Sequence, residues 1–150
     1  MNFPRAVLGG LVGTAVMTML MLVAPAMGFP KMPIGEMLGS FLGIGAVAGW
    51  LMHFVIGVIL AVLYAVLAAA RLPGPPAARG ALYGVLVFVV AQLVVTPMMG
   101  GGVFSGGNIP SIAGSLMGHL VYGAIVGSLY GTVSRSRVGA STAASHGAAR

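Results

Sequence analysis

Apolar residues run along this chain in four long stretches that contain no charged side chain. They cover roughly residues 6–26, 45–70, 81–99 and 112–133. A bilayer core about 30 Å thick is crossed by about 20 helical residues, and each stretch is close to that length or longer. Backbone N–H and C=O groups in lipid must be satisfied within the segment, which makes helices the expected form. The pattern therefore predicts an all-α, integral membrane four-helix bundle.

The charged residues lie outside these stretches, and the arginines all fall on one predicted side of the membrane. Arg5 precedes the first stretch, Arg71 and Arg79 lie between the second and third, and the other arginines follow the fourth. The segment after the first stretch carries Lys31 and Glu36, whose charges cancel. Because basic residues are enriched on the cytoplasmic side of membrane proteins, we expect a multi-pass protein with both termini cytoplasmic.

Composition excludes several classes of protein. Charged residues make up only 5% of the 150, far below a soluble domain. The net charge of +6 then reflects topology and contact with anionic lipid, and no nucleic-acid partner is expected. The absence of cysteine excludes disulfides and thiolate metal sites. No nucleophile with a base, phosphate-binding loop or HExxH motif is present, so the chain is not expected to be an enzyme.

The polar landmarks occur twice in the same order, which indicates an internal duplication. The pairs are Arg5 and Arg79, Gly10 and Gly84, Thr18 and Gln92, Pro25 and Pro97, His53 and His119, Gly57 and Gly123, and Tyr64 and Tyr130. Each copy holds two spans and returns to its starting side. Residues 1–133 should therefore form one domain of two tandem helical hairpins, related by a pseudo-twofold axis along the membrane normal. Residues 134–150, rich in Ser, Ala and Gly, are predicted to be a disordered cytoplasmic tail.

Three of these segments resemble motifs of a known family. The run from His53 to Tyr64, the run from Gly84 through Gln92 to Gly100, and Gly118-His119-Leu-Val-Tyr122 are similar to helices of the YagU family. A related family of small bacterial four-helix membrane proteins of unknown function is closer in length. The resemblance implies a polytopic protein of the bacterial inner membrane, and it implies no reaction.

The two histidines are the candidate site residues, because ionisable side chains inside a membrane are costly and usually functional. At about 1.5 Å per residue, His53 and His119 both lie roughly 24–27 Å from the arginines that follow them. Thr18 and Gln92 reach nearly the same level. A metal-bound imidazole usually donates its second N–H to an acceptor, and these two side chains could each supply one.

Small residues beside the histidines leave two interpretations open. Gly57 and Gly123 belong to stripes that favour close helix packing. They could instead make room for a macrocycle, so that His53 and His119 on parallel helices would bind haem b from both faces. Near the arginine ends, Tyr64 and Tyr130 are typical of the aromatic belt at a membrane interface.

Methionine offers a further hypothesis. The chain has 11 methionines, among which Met17 and Met21 share a helix face, and Met52 and Met117 lie near the histidines. Thioether and imidazole ligands suit Cu(I), although methionine more often fills apolar gaps.

The sequence therefore favours an uncharacterised, non-enzymatic interaction or transport-associated bundle with structural histidines. The alternative is haem b or copper binding through His53 and His119, for electron transfer or metal handling. The bilayer is the expected surrounding, with a membrane-protein partner or a second copy of the chain as further partners.

Overall fold

The computed structural model describes residues 1–131 in full, and of residues 132–147 it gives only that the last helix runs through them. The predicted tail, residues 134–150, lies outside the fully described residues and stays a prediction. The chain is helical, with no strand between residues 1 and 147. The helices are α1 (Phe3–Val23), continued by a 3₁₀ turn (Ala24–Met27); α2 (Ile34–Leu42); α3 (Gly45–Leu63), continued by a π-helical turn (Tyr64–Ala68); α4 (Pro76–Val90), continued by a π-helical turn (Ala91–Val95) and by α5 (Thr96–Met98); and α6 (Ile109–Gly147).

Four of these helical segments are long and apolar enough to cross a membrane. They are span 1 (Phe3–Met27), span 2 (Gly45–Ala68), span 3 (Pro76–Met98) and span 4 (Ile109–Gly131). The predicted all-α bundle of four membrane spans is confirmed, and the chain is a multi-pass membrane protein.

Span 3 begins at Pro76, earlier than the predicted Ala81. Proline is favoured in the first turn of a helix, where its missing N–H costs nothing. The charge of Arg79 is accommodated there because its guanidinium donates hydrogen bonds to the carbonyls of Gly74, at 2.6 Å, and Ala69, at 3.1 Å.

The spans pack as two hairpins around a shared centre. Span 1 lies between spans 2 and 4, and span 3 packs against span 4. Spans 2 and 4 face each other across the bundle, where the Tyr122 hydroxyl donates to the carbonyl of Gly57. Equivalent glycines line the two hairpins. Gly10 packs on the backbone of span 2 at Gly57, and Gly84 packs on span 4 at His119. This packing fits the predicted pair of tandem hairpins.

The expected interfacial role of Tyr64 is wrong. Its side chain is only 2% exposed. It packs against the ring of Tyr83, at 5.3 Å between centroids, and that of Tyr130, at 6.0 Å. The neighbouring Tyr83 hydroxyl donates a hydrogen bond to the carbonyl of Leu60 at 2.8 Å, which ties this group of tyrosines to span 2.

The two connections on the side away from Arg5 and Arg79, called the opposite side from here on, differ in structure. The first contains α2, which the hydrophobic pattern did not predict. It packs along α3 so closely that a methyl group at Gly49 would meet the backbone of Gly35 and Gly39. The second connection instead forms a left-handed turn (Val103–Gly107), in which Phe104 and Ser105 have φ of 46° and 51°.

Candidate intramembrane polar site

His53 lies on α3 and is half-buried. Its ring contacts Trp50 and Phe54 edge-on, with centroids 6.0 and 6.1 Å away. The Nε2 atom is buried and has no hydrogen-bond partner among the described residues. A buried polar atom without a partner is uncommon and costly in proteins. His53 therefore offers a nitrogen that protein contacts alone do not satisfy.

His119 lies on α6 and is held by its own helix. Nδ1 lies 2.7 Å from the carbonyl oxygen of Ser115, a geometry that assigns the proton to Nδ1 and leaves Nε2 as the acceptor. The ring of Phe88 lies edge-on at 6.0 Å. About one turn further along each helix, the Tyr122 hydroxyl of span 4 donates to the carbonyl of Gly57 on span 2. The sequence-based prediction that His53 and His119 lie at similar depth is consistent with this contact.

Two threonines on span 1 lie beside the histidine of span 2. Thr14 is 1% exposed and Thr18 is 9% exposed, and neither hydroxyl has a hydrogen-bond partner within residues 1–131. The Thr14 hydroxyl lies directly against Gly57. Because spans 1 and 2 are antiparallel, one further turn along each helix places Thr18 opposite His53. We call His53 Nε2 and the two threonine hydroxyls the open polar atoms.

Gln92 does not support a histidine as the sequence suggested. Its side chain is 2% exposed, and its Oε1 accepts a hydrogen bond of 3.0 Å from the hydroxyl of Ser105. The residue lies in a π-helical turn that ends just before Pro97. A proline cannot donate to the carbonyl four residues earlier and crowds it, which distorts the preceding turn. That distortion, together with the left-handed turn, directs Gln92 to Ser105.

Neighbouring helices pack closely against both Gly57 and Gly123. A methyl group at Gly57 would meet the Thr14 hydroxyl, and one at Gly123 would meet the backbone of Gly80 and Gly84. The two glycines thus allow close helix packing, the simpler of the two interpretations of the stripes. The space that each glycine frees is thus filled by a neighbouring helix and is not left for a haem macrocycle.

A metal site of conventional ligands is not formed around the histidines. Within the described part of the chain, no group of three or more His, Cys, Asp or Glu side chains converges. The two imidazoles could supply two nitrogen ligands, with Thr18 as an oxygen donor nearby. This arrangement fits a small polar species better than a cation that needs four protein ligands.

The left-handed turn packs on span 3, in the hairpin that carries His119. The Phe104 ring packs on Phe88, with centroids 6.3 Å apart, and Phe88 in turn contacts His119. Ser105 forms the hydrogen bond to Gln92 described above. Positive φ at a non-glycine residue costs roughly 1–2 kcal/mol, so these contacts hold a strained segment in place. We call residues 103–107 the plug.

Sequence reasoning missed the plug and Thr14. The only local signal for the plug is the glycines before it and within it: Gly100, Gly102, Gly106 and Gly107 all have positive φ. Such glycines indicate turns without telling which way a turn points.

The comparisons with known proteins identify a family without a known activity. The model of the Family of unknown function (DUF6789) matches residues 2–140. The chain belongs to this family. No curated protein and no solved structure matches the chain. The match fits the expected family of unknown function, whereas the resemblance to the YagU family stays a prediction.

Proposed function

We propose that this member of the family is a non-enzymatic, transport-associated membrane bundle that binds a small polar solute between its histidines. The binding site consists of the open polar atoms together with His119 Nε2. It lies in the half of the membrane away from Arg5 and Arg79, beneath the plug. We further propose the bacterial inner membrane as its location, with the arginine-bearing side in the cytoplasm.

The open polar atoms carry this proposal. Burying a polar group without a partner costs roughly 1–3 kcal/mol in proteins. Leaving three such atoms without partners on two adjacent spans would be costly for a purely structural cluster, whose members would be expected to form hydrogen bonds with one another. A bound solute or water would satisfy them, and polar residues in membrane spans commonly mark solute pathways.

The donors and acceptors indicate the chemistry of the solute. Neutral imidazole Nε2 accepts a hydrogen bond, and each threonine hydroxyl both donates and accepts. The site holds no carboxylate, because Glu36 is the only acidic residue of the chain and lies in α2. An uncharged solute with hydrogen-bond donors therefore fits best, and nothing in this chemistry calls for a reaction.

A comparison of the two histidines tests the site without knowledge of the solute. Replacing His53 by Leu removes an unsatisfied nitrogen, so the thermal midpoint in mild detergent should stay the same or rise. Replacing His119 by Leu removes a side chain with a hydrogen bond and a ring contact, so the midpoint should fall. A larger loss for His53→Leu than for His119→Leu would show that His53 is structural and would contradict the proposal.

Uptake by proteoliposomes then tests binding and passage. Osmotic swelling of vesicles in urea or glycerol should be faster with the protein than without it. The His53→Leu variant should lose the difference, while an exposed-site control, Val47→Ala, should keep it. No difference between protein-containing and empty vesicles for either solute would contradict the proposal.

Copper binding by the two histidines is the second candidate. The hydrogen bond from His119 Nδ1 to the carbonyl of Ser115 favours it, because metal-bound imidazoles are commonly oriented in this way. Metal analysis and absorption spectra, oxidised and reduced, on protein expressed with copper and a haem precursor test it. Copper that is lost in both His53→Ala and His119→Ala would support it, whereas a colourless, metal-free protein would eliminate copper and haem together.

A further inference from the structure

Four methionines from three separate segments meet near the opposite side of the bundle. Met21 of span 1, Met32 of the segment before α2, and Met117 of span 4 line one small cavity. Met17 lies one turn from Met21 on the same face of span 1 and contacts Gly118, which also lines the cavity. We call these four residues the methionine cluster.

We propose that the methionine cluster binds one soft monovalent cation, Cu(I). The site is separate from the histidine site and does not depend on the proposed transport function. Thioether sulfur is a soft ligand that selects Cu(I) over hard cations such as Mg²⁺ or Ca²⁺. The observation that carries the proposal is the convergence of Met21, Met32 and Met117 on one cavity, with Met17 one turn away on the same helix face.

Two glycines of span 4 create the room for this convergence. A methyl group at Gly114 would lie 2.9 Å from the Met32 methyl carbon. One at Gly118 would lie 3.2 Å from the Met17 methyl carbon and 3.9 Å from its sulfur. The methionine ends therefore lie where larger residues on α6 would have placed side chains.

The cavity has the size and lining for a single ion. Its volume is about 10 Å³, about that of one water-sized sphere. A buried water needs two to four polar partners, whereas the other lining residues are Leu20, Ala24, Pro30, Gly114 and Gly118. Water is thus poorly suited to this cavity, while a cation that prefers sulfur would find three ligand side chains around it.

Three methionines outside the cluster lie on the surface of the bundle and do not converge on the cavity. Met19, Met27 and Met98 are 62%, 69% and 60% exposed, as expected for flexible apolar residues on a lipid-facing surface. Met17, in contrast, is only 9% exposed. The cluster is distinguished by convergence from separate segments, which a filler role does not require.

Anaerobic titration of the purified protein with Cu(I), in competition with a chromophoric Cu(I) chelator, tests the proposal. We expect one Cu(I) per chain, with binding weakened at least tenfold in Met32→Leu and in Met117→Leu. Leucine is close to methionine in volume, so both variants should fold, and helical circular dichroism checks this. The matched controls Met19→Leu and Met98→Leu should bind as the unaltered chain does.

Two further measurements separate this site from the histidines. X-ray absorption at the copper edge should show sulfur ligands, and His53→Leu should leave the affinity unchanged. The proposal is overturned if no Cu(I) binds, if Met32→Leu and Met117→Leu bind as tightly as the controls, or if the ligands are nitrogen alone. None of these outcomes bears on solute uptake, so the two proposals fail independently.

Discussion

The two hairpins have the same arrangement of helices, but the contacts between the two helices differ from one hairpin to the other. Where span 3 meets span 4, glycines face one another, and methyl groups at Gly80 or Gly84 would meet backbone carbonyls. Where span 1 meets span 2, a methyl group at Gly10 would lie 2.7 Å from the Cα atom of Val58, and Thr14 fills the space beside Gly57. Both hairpins thus have glycines packed on backbone, and the first also keeps the polar side chain of Thr14 between its helices.

The contacts between the hairpins differ in the same sense. Gly9 of span 1 packs on Val126 of span 4. The equivalent positions in the repeat are Tyr83 of span 3 and Leu60 of span 2, which are joined by a hydrogen bond between side chain and backbone. A duplicated sequence can therefore keep its helix order while one interface is made of glycine and its counterpart of tyrosine.

Proline ends the odd-numbered spans by two different routes. Pro25 lies in a 3₁₀ turn, whereas Pro97 follows a π-helical turn. The tighter turn leads to α2, which packs outside span 2. The wider turn carries Gln92 to the plug. The two connections thus pack on different hairpins, α2 on the first and the plug on the second.

The largest expected effect comes from adding a methyl group where the glycines of spans 3 and 4 face one another. Gly84→Ala should lower the free energy of unfolding by about 2–3 kcal/mol, because a methyl group there meets the backbone of His119 and overpacking costs roughly 1–3 kcal/mol. Gly9→Ala is the matched control in span 1. Its methyl would lie at an ordinary 3.5 Å from Val126, so stability should hold or rise. Unfolding in a denaturing detergent, followed by circular dichroism, measures both; equal losses would contradict the close backbone contact assigned to Gly84.

The second prediction concerns access through the plug. The chain has no cysteine, so His119→Cys introduces a single thiol. An impermeant thiol reagent should label it about tenfold faster when Phe104→Ala is added. Loss of the ring contact should lower the free energy of opening the strained turn by about 1.4 kcal/mol, which corresponds to a factor of ten. Ser40→Cys, exposed on α2 and outside the site, should be labelled at the same rate with or without Phe104→Ala. Unchanged labelling of His119→Cys would show that the plug does not limit access.

A smaller effect is expected from the tyrosine hydroxyls that cross the bundle. Tyr83→Phe and Tyr122→Phe each remove one hydrogen bond to a backbone carbonyl. Interhelical hydrogen bonds in membranes contribute about 0.6–2 kcal/mol, so each variant should lose roughly that amount. Tyr130→Phe, whose ring contact with Tyr64 survives the change, serves as control. The thermal midpoint measures all three; losses as large for Tyr130→Phe would contradict the assigned roles.

The smallest expected effect concerns α2, which has no counterpart in the second hairpin. Glu36 is exposed and lies in the first turn of this helix. A negative charge there is stabilised by the helix dipole by about 0.3–1 kcal/mol. Glu36→Gln should therefore lower stability by about 0.3–1 kcal/mol at low salt, and by less at high salt. A larger loss in a salt titration of the unfolding midpoint would indicate an additional partner for this carboxylate.

Long uninterrupted apolar stretches made the spans predictable, whereas α2 and the plug correspond to short segments without such a pattern. A nine-residue helix between prolines and glycines is too short to stand out from a loop. The direction of Gln92 depended on a π-helical turn and on Ser105, which is 13 positions away in the chain. Tyr64 was misplaced because its position near an arginine fits the interface equally well, and only packing against Tyr83 and Tyr130 decides between the two.

The sequence by itself determined the four spans, their separation from the charges and the duplicated order of landmarks, because hydropathy and repeat spacing act along the chain. Only the tertiary structure decided what the landmarks contact. Gly57 and Gly123 face helices, His53 and the two threonines remain open, and the methionine cluster assembles from three segments. The physical reason is that these properties depend on distances between residues far apart in the chain, which are fixed only when the four helices pack.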